Sequence, residues 1–180
     1  MGSVDKGLQP FRGKPMIAHV LERFAPQVSE VLINANRSLE EYGSFGHRVV
    51  ADAIDGFAGP LAGLHIGMTH ASHPLVASVP CDSPFLPRDL IARLSAALTG
   101  ENADLAVART FDQPHPVFCL TRTRLAPHLQ AFLDSGQRKI DKWYATLQVV
   151  EVRFDEEEAA FSNINTVDEL KTLEQSPPRG

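Results

Sequence analysis

The sequence has little of what three large classes of protein require. No apolar run approaches the about 20 residues that span a bilayer, so we expect no membrane partner. Two cysteines are too few for a disulfide scaffold, and the first residues lack the apolar core of a secretory signal. The 17 basic residues are outnumbered by 22 acidic ones, whereas a general nucleic-acid binder has a basic excess. We therefore expect a cytoplasmic protein that does not bind nucleic acid.

What the chain does have is the composition of one globular domain, with 180 residues of which 43% are hydrophobic. We expect this domain to cover residues 1–175, followed by a disordered tail over 176–180. Helical spacing of apolar residues largely alternates with short apolar runs, which predicts an α/β fold with a mainly parallel sheet. The expected helices cover residues 15–25, 60–71, 88–98, 121–133 and 166–174, and the expected strands cover residues 30–35, 48–51, 75–79, 104–108, 117–120 and 147–154.

The beginning of the sequence is unusual for this fold class. Glycines and prolines up to Gly13 predict a loop, and no strand precedes it. An α/β domain normally begins with a strand that leads into its first glycine-rich loop. Either the first element is not a strand, or the sequence lacks its start.

Polar residues follow three expected strands, where a parallel sheet binds its ligands. Asn34 ends the strand at 30–35, Asp52 follows the strand at 48–51, and Asp82 follows the strand at 75–79. Each of these residues also has a purely structural alternative. Asn34 can hydrogen-bond to backbone groups at the end of its strand, Asp52 can form a turn, and Asp82 can cap a helix. Lys6, in the opening loop, could equally be a solvated surface lysine. Together, a carboxylate for Mg²⁺ and a lysine for phosphate charge favour phosphoryl or nucleotidyl transfer.

Weaker indications come from four other places. Residues 55–59 give a flexible approach to the helix at 60–71, whose N-terminus favours an anion. His115 lies between two prolines in a stiff segment, which suggests binding. Arg138 could contact a phosphate group, or it could simply lie in solvent at the end of a helix. Asn163 and Asn165 face the same side of an extended segment, either as site residues or as loop and cap residues.

Several short motifs occur together: residues 2–7 (GSVDKG), 13–15 (GKP), 34–37 (NANR), Asp52, 59–63 (GPLAG), 80–82 (PCD), 115–116 (HP) and 163–166 (NINT). In this order they closely resemble the molybdenum cofactor guanylyltransferase (MobA) family, over almost the whole chain. GPLAG together with PCD is the most specific part. The resemblance implies a three-layer, Rossmann-like nucleotidyltransferase fold. It also implies an enzyme that joins GMP from GTP to the molybdopterin form of the cofactor and releases pyrophosphate.

The resemblance also implies roles for single residues. Lys6 and Asp82 would be catalytic, with Lys6 on the GTP phosphates and Asp82 holding the one expected cofactor, Mg²⁺. A phosphate oxygen of the pterin would attack the α-phosphorus in line, so no protein nucleophile or base would be needed. The implied nucleotide-binding residues are Lys6, Asn34, Asp52, Gly59, Pro60, Leu61, Gly63 and Asp82. The implied residues on the pterin side are His115, Arg138, Asn163 and Asn165.

The sequence departs from the family pattern at its start. The family begins with an apolar strand ending in Leu-Ala-Gly-Gly and a basic segment. If an upstream reading frame exists, we expect it to encode about 20 residues with these features; a mis-assigned start and a true truncation are the two alternatives. Beyond GTP and molybdopterin, cofactor-insertion proteins or molybdoenzymes are candidate partners. One alternative is another nucleotidyltransferase, acting with cytidylyl or sugar-phosphate substrates. The other is a truncated relative that binds nucleotide or cofactor without turnover.

Overall fold

A computed structural model describes residues 5–51 and 59–161. Its strands are β1 (Pro10–Phe11), β2 (Lys14–Pro15), β3 (Leu32–Asn34), β4 (Arg48–Val50), β5 (Leu75–Ser78), β6 (Leu105–Thr110), β7 (Gln113–Arg122) and β8 (Val149–Arg153). Its α-helices are α1 (Met16–Phe24), α2 (Leu39–Gly43), α3 (Pro60–His70), α4 (Leu90–Gly100), α5 (Ala126–Asp134) and α6 (Ile140–Tyr144). The predicted closing helix and tail lie outside the described residues. Within those ranges, no helix combines the length and apolar composition that crossing a bilayer requires.

The sheet of four strands has the order β5-β7-β6-β8. Strands β6 and β8 are parallel, but β7 is antiparallel to both β5 and β6. The reason is a tight turn at Phe111 and Asp112, which joins β6 directly to β7 and so forces an antiparallel pair. A separate parallel pair joins β3 to β4. The α/β class is confirmed. The sheet was expected to be mainly parallel, whereas this larger sheet contains both parallel and antiparallel pairs.

Alternating side chains of β6 divide the core between the two faces of this sheet. Ala106 and Ala108 belong to a cluster that includes residues of α1 and α4. Leu105 and Val107 point the other way, into a cluster that includes residues of α3, α5 and α6. Both faces of the sheet are thus covered by helices, which confirms three layers.

The opening residues contain more structure than the predicted loop. Residues Lys6–Leu8 form a 3₁₀ turn, and β1 and β2 form a small antiparallel hairpin. Arg12 and Gly13 connect the two strands, both with positive φ (45° and 79°), the backbone of a tight two-residue hairpin turn. Strand β2 leads directly into α1, which begins at Met16, immediately after Pro15.

Candidate functional site

The structure brings Lys6 and Asp82 together. Lys6 begins the 3₁₀ turn near the start of the chain, and Asp82 lies in the turn after β5. Their Nζ and Oδ2 atoms are 3.6 Å apart. The Lys6 side chain is 53% exposed, whereas that of Asp82 is 10% exposed. An accessible ammonium group thus lies beside a nearly buried carboxylate.

The loop that carries Lys6 is fixed from both sides. The Tyr42 hydroxyl, in α2, donates a hydrogen bond of 2.6 Å to Oδ1 of Asp5. Burial raises the pKa of Tyr42 well above its ordinary value, so this phenol stays a donor. A Cβ at Gly7 would lie 2.7 Å from the Tyr42 hydroxyl oxygen and 3.2 Å from the Cβ of Cys81. A larger residue at position 7 would therefore displace Tyr42 or Cys81, so this close approach favours glycine.

Asp5 and Tyr42 were not among the residues expected at the site. Asp5 adjoins Lys6 in the sequence, which was the available signal. Tyr42 lies on α2, a five-residue helix that the periodicity did not predict, so nothing in the sequence pointed to it.

Asn34 lies against the beginning of α3. Its Nδ2 donates to the carbonyl oxygen of Val50 (3.2 Å). A Cβ on Gly63 would lie 2.8 Å from Oδ1 of Asn34, so the second glycine of GPLAG leaves room for this amide. Gly59 precedes α3 with φ of 138°, and Pro60 occupies its first turn. Strand β3 and the helix N-terminus, expected to share a site, are therefore neighbours.

Leu61 differs from the rest of GPLAG. Its side chain is 2% exposed and packs in the core on the α3 side of the larger sheet. The structure thus assigns the Leu61 side chain to packing, and only its backbone could face a nucleotide.

Cys81, between β5 and Asp82, is not an activated thiol. Burial, and then the nearby charges of Asp82 and Asp5, raise its pKa to about 11. The thiol is protonated near neutral pH, and a protonated thiol is a poor nucleophile.

His115 and Arg138 both contact other parts of the protein. Nε2 of His115 lies 2.7 Å from Oγ1 of Thr110, and its ring stacks on Phe161 with centroids 4.8 Å apart. Burial lowers the pKa of His115. Arg138 donates to the carbonyl oxygen of Leu133 (2.7 Å), in the last turn of α5. This hydrogen bond supports the helix-end role of Arg138. The contacts with the cofactor that were predicted for His115 and Arg138 stay predictions.

Three expected site residues, Asp52, Asn163 and Asn165, lie outside the described ranges. Within residues 5–51 and 59–161, no group of three or more His, Cys, Asp or Glu side chains could enclose a metal ion. Mg²⁺ does not need such a group, because one or two carboxylates with substrate phosphates commonly hold it. The carboxylate of Asp82, beside an accessible lysine, fits that mode of binding.

A cavity of about 680 Å³ is lined by Asp5 and Cys81, the sequence neighbours of Lys6 and Asp82, but not by Lys6 or Asp82 themselves. It runs between β3 and β5, and Asp5, Asn34, Gly59, Pro60 and Gly63 are among the residues that line it. One end of the cavity therefore opens on the loop before Lys6 and on the beginning of α3.

Comparison with known proteins identifies a family that this chain matches. Residues 1–150 match the model of the MobA-like NTP transferase domain family. A molybdenum cofactor guanylyltransferase of Cupriavidus necator is 50% identical over 179 residues, covering 97% of this chain and 89% of the relative.

Solved structures share the architecture. Molybdopterin-guanine dinucleotide biosynthesis protein A from Archaeoglobus fulgidus matches with a TM-score of 0.80 and 25% identity, covering 96% of this chain and 90% of that one. The 2-C-methyl-D-erythritol 4-phosphate cytidylyltransferase from Thermus thermophilus matches with a TM-score of 0.71 and 18% identity, covering 94% and 92%. The second likeness shows a common fold only.

Proposed function

The chain belongs to the MobA-like NTP transferase family, and on that premise we propose that it transfers GMP from GTP to the molybdopterin form of the molybdenum cofactor. Pyrophosphate is the second product. The observation that carries the proposal is the pairing of Lys6 with Asp82, 3.6 Å apart, at the carboxyl end of β5. The 50% identity to a molybdenum cofactor guanylyltransferase supports the choice of nucleotide and acceptor.

Lys6 is suited to bind the phosphates of GTP. Its side chain is half exposed, and the 3.6 Å between Nζ and Oδ2 is longer than a hydrogen bond, so a phosphate can draw the ammonium group away from Asp82. Charge on the leaving pyrophosphate grows during the reaction, and a positioned ammonium group stabilises it. The fixed loop around Gly7 keeps Lys6 in place for this role.

Asp82 is suited to hold Mg²⁺. Its carboxylate is the hard oxygen ligand that this ion prefers, and its low exposure keeps it from rotating into solvent. When bound, Mg²⁺ supplies Lewis-acid neutralisation of the negative phosphate oxygens.

The chemistry needs no base from the protein. A terminal phosphate oxygen of the pterin forms a bond to the α-phosphorus of GTP, and the bond from the α-phosphorus to the bridging oxygen of the β-phosphate breaks. A phosphate monoester already carries its second charge near neutral pH. The protonated thiol of Cys81 takes no part in this proposal.

The test measures nucleotide choice. The chain is incubated with molybdopterin, Mg²⁺ and GTP, CTP, UTP or ATP in turn, and pyrophosphate is measured together with nucleotide binding. We expect binding and release with GTP, and little with the other three. Equal or better release with CTP would favour a cytidylyltransferase, whose fold this chain shares. GTP binding without release, in a chain that is fully folded, would favour a non-catalytic binding protein.

A further inference from the structure

A second, smaller cavity lies beside the hairpin of β1 and β2, and three arginines line it. Arg12 comes from the hairpin turn, Arg23 from α1, and Arg88 from the segment before α4. The cavity volume is about 210 Å³. Among the described residues, none lines both this cavity and the larger one. We call the smaller cavity the basic pocket.

The basic pocket concentrates positive charge in a protein whose net charge is −5. Within the described part of the chain, one carboxylate lines it, that of Glu22, and this carboxylate pairs with Lys14. Counting Lys14 with the three arginines, four positive charges face one negative charge. The excess is local, so it favours an anion at this place.

Two of the guanidinium groups lie close enough to repel each other. Burial, and then the positive charge of Arg88, lower the pKa of Arg23. Glu157 acts on Arg23 in the opposite direction and less strongly. Like charges are costly to hold together, so an anion bound between them would relieve a repulsion that the fold leaves in place.

The guanidinium group of Arg12 is positioned by two aromatic rings. Its central carbon lies 5.2 Å from the ring centroid of Phe11 and 5.6 Å from that of Phe85. Both distances are within the range of a cation–π contact. Both rings also line the basic pocket, so Arg12 is held at its wall.

Gln27 joins the segments that carry the other two arginines. Its Nε2 donates to the carbonyl oxygens of Arg23 (2.8 Å) and Pro87 (2.9 Å). Its Oε1 accepts from the amide of Ile91 (3.0 Å), in the first turn of α4. These three hydrogen bonds fix the end of α1 against the residues around Arg88. A site whose backbone is already fixed loses less entropy when it binds a ligand.

The size of the basic pocket and its donors indicate the class of ligand. Pockets for drug-sized molecules have about 300–1,000 Å³, so the basic pocket suits a smaller ligand than a nucleotide. Guanidinium groups donate paired hydrogen bonds to oxyanions. Three of them from three chain segments suit a tetrahedral group with several oxygens better than a planar carboxylate.

We propose that the basic pocket binds a small phosphoryl anion, held by the guanidinium groups of Arg12, Arg23 and Arg88. The ligand is free phosphate or pyrophosphate, or the phosphate end of a phosphomonoester.

The basic pocket is separate from the proposed GTP site. Lys6 and Asp82 do not line it, although Pro84, two positions after Asp82, does. An anion there would contact the chain segment that follows the proposed Mg²⁺ ligand. The inference does not depend on which nucleotide the protein uses, or on whether it is catalytic.

The test is titration calorimetry on the full chain, without Mg²⁺, at about 0.15 M ionic strength. Phosphate, pyrophosphate and glycerol phosphate are the probes, and acetate is the carboxylate comparison. The variants are Arg88→Gln, at an exposed position, and Glu22→Gln. Arg124→Gln is the matched control, because it removes the same charge from an exposed arginine that pairs with Asp104, at the beginning of β6. Melting temperatures show that each variant is folded.

We expect Arg88→Gln to weaken binding of the phosphoryl anion about fivefold or more, because charge-assisted hydrogen bonds are lost. Glu22→Gln should tighten binding about twofold or more, because it removes the carboxylate and releases Lys14. Arg124→Gln should leave binding unchanged. Opposite effects of two changes at one cavity are not expected from a general loss of stability.

The probes distinguish the two sources of the ligand. Tightest binding of phosphate or pyrophosphate would support a free anion, and tightest binding of glycerol phosphate would support a phosphomonoester. No measurable binding of the three would overturn the proposal, as would equally tight binding of acetate or equal effects of Arg124→Gln and Arg88→Gln. Binding that Lys6→Ala removes and Arg88→Gln leaves intact would also overturn it, because the anion would then occupy the proposed GTP site.

Discussion

Gly63→Ala tests the contact between α3 and Asn34. The new Cβ would lie 2.8 Å from Oδ1 of Asn34, a distance that real Cβ atoms do not tolerate, so the amide must move. Moving it breaks the hydrogen bond from Nδ2 to the carbonyl of Val50. We expect the main effect on nucleotide binding, because Asn34 is the polar side chain that this glycine admits to the proposed GTP site.

The magnitudes follow from two opposing effects on stability. Loss of one neutral hydrogen bond costs about 0.5–1.5 kcal/mol, whereas alanine in a helix is favoured over glycine by about 0.5–1 kcal/mol. The free energy of unfolding should therefore change by less than about 1 kcal/mol. If Asn34 contributes one hydrogen bond to GTP, the affinity should fall about twofold to tenfold.

Gly67→Ala provides the matched control on the same helix. A Cβ there meets Cγ1 of Val76 at 3.5 Å, an ordinary contact, so only the helix preference remains. Its melting temperature should exceed that of Gly63→Ala by about 2–4 °C, with unchanged GTP affinity in calorimetric titration. In an Asn34→Ala background, Gly63→Ala should become as favourable as Gly67→Ala. If Gly63→Ala instead raises the melting temperature as much as Gly67→Ala does, and binds GTP with unchanged affinity, the role assigned to Asn34 is wrong.

Two further predictions concern charge. Lys6→Ala should weaken binding of Mg-GTP about tenfold or more, because a hydrogen bond from a charged donor to phosphate is lost. Lys14→Ala is the control, since its side chain is also 53% exposed and pairs with a carboxylate, that of Glu22; equal effects would mean that Lys6 does not bind the phosphates. Burial lowers the pKa of His115, and also that of His65, below the ordinary value of 6.5. As the pH falls, these two side chains therefore become protonated in the unfolded chain before they do in the folded chain. The free energy of unfolding, measured in urea, should therefore fall as the pH drops below 6.5, and His115→Gln should reduce that loss. A His115→Gln profile identical to that of the unchanged chain would refute this cause.

The sequence was sufficient for the α/β class because the core helices and strands carry strong periodicity. In α4, for example, Leu90, Leu94 and Leu98 are all buried on one face, as their spacing predicts. The mixed sheet was harder to predict, because strand direction depends on the connection. The turn at Phe111 and Asp112 lacks the glycine that usually marks a tight hairpin.

At the site, single residues were predictable where chemistry limits the choice. A carboxylate after an apolar strand and a lysine in a glycine-flanked loop are few in any sequence, and the structure places Asp82 and Lys6 3.6 Å apart. The anchoring of Asp5 by Tyr42 was not predictable, since it joins residues 37 positions apart through a short helix. Burial of Leu61 within GPLAG likewise depends on which face of α3 meets the sheet.

The most direct test of the proposed function is a turnover measurement on Asp82→Asn. This change removes the charge that would hold Mg²⁺ and keeps the shape of the side chain. Asp112→Asn is the control, because that carboxylate is fully exposed and pairs with Arg109 on the surface. With GTP labelled at the α-phosphate, molybdopterin and Mg²⁺, we predict that labelled GMP joins the pterin with one pyrophosphate per transfer. Asp82→Asn should lose about a hundredfold or more of this rate, and Asp112→Asn should keep it. Near-normal transfer by Asp82→Asn would contradict the account.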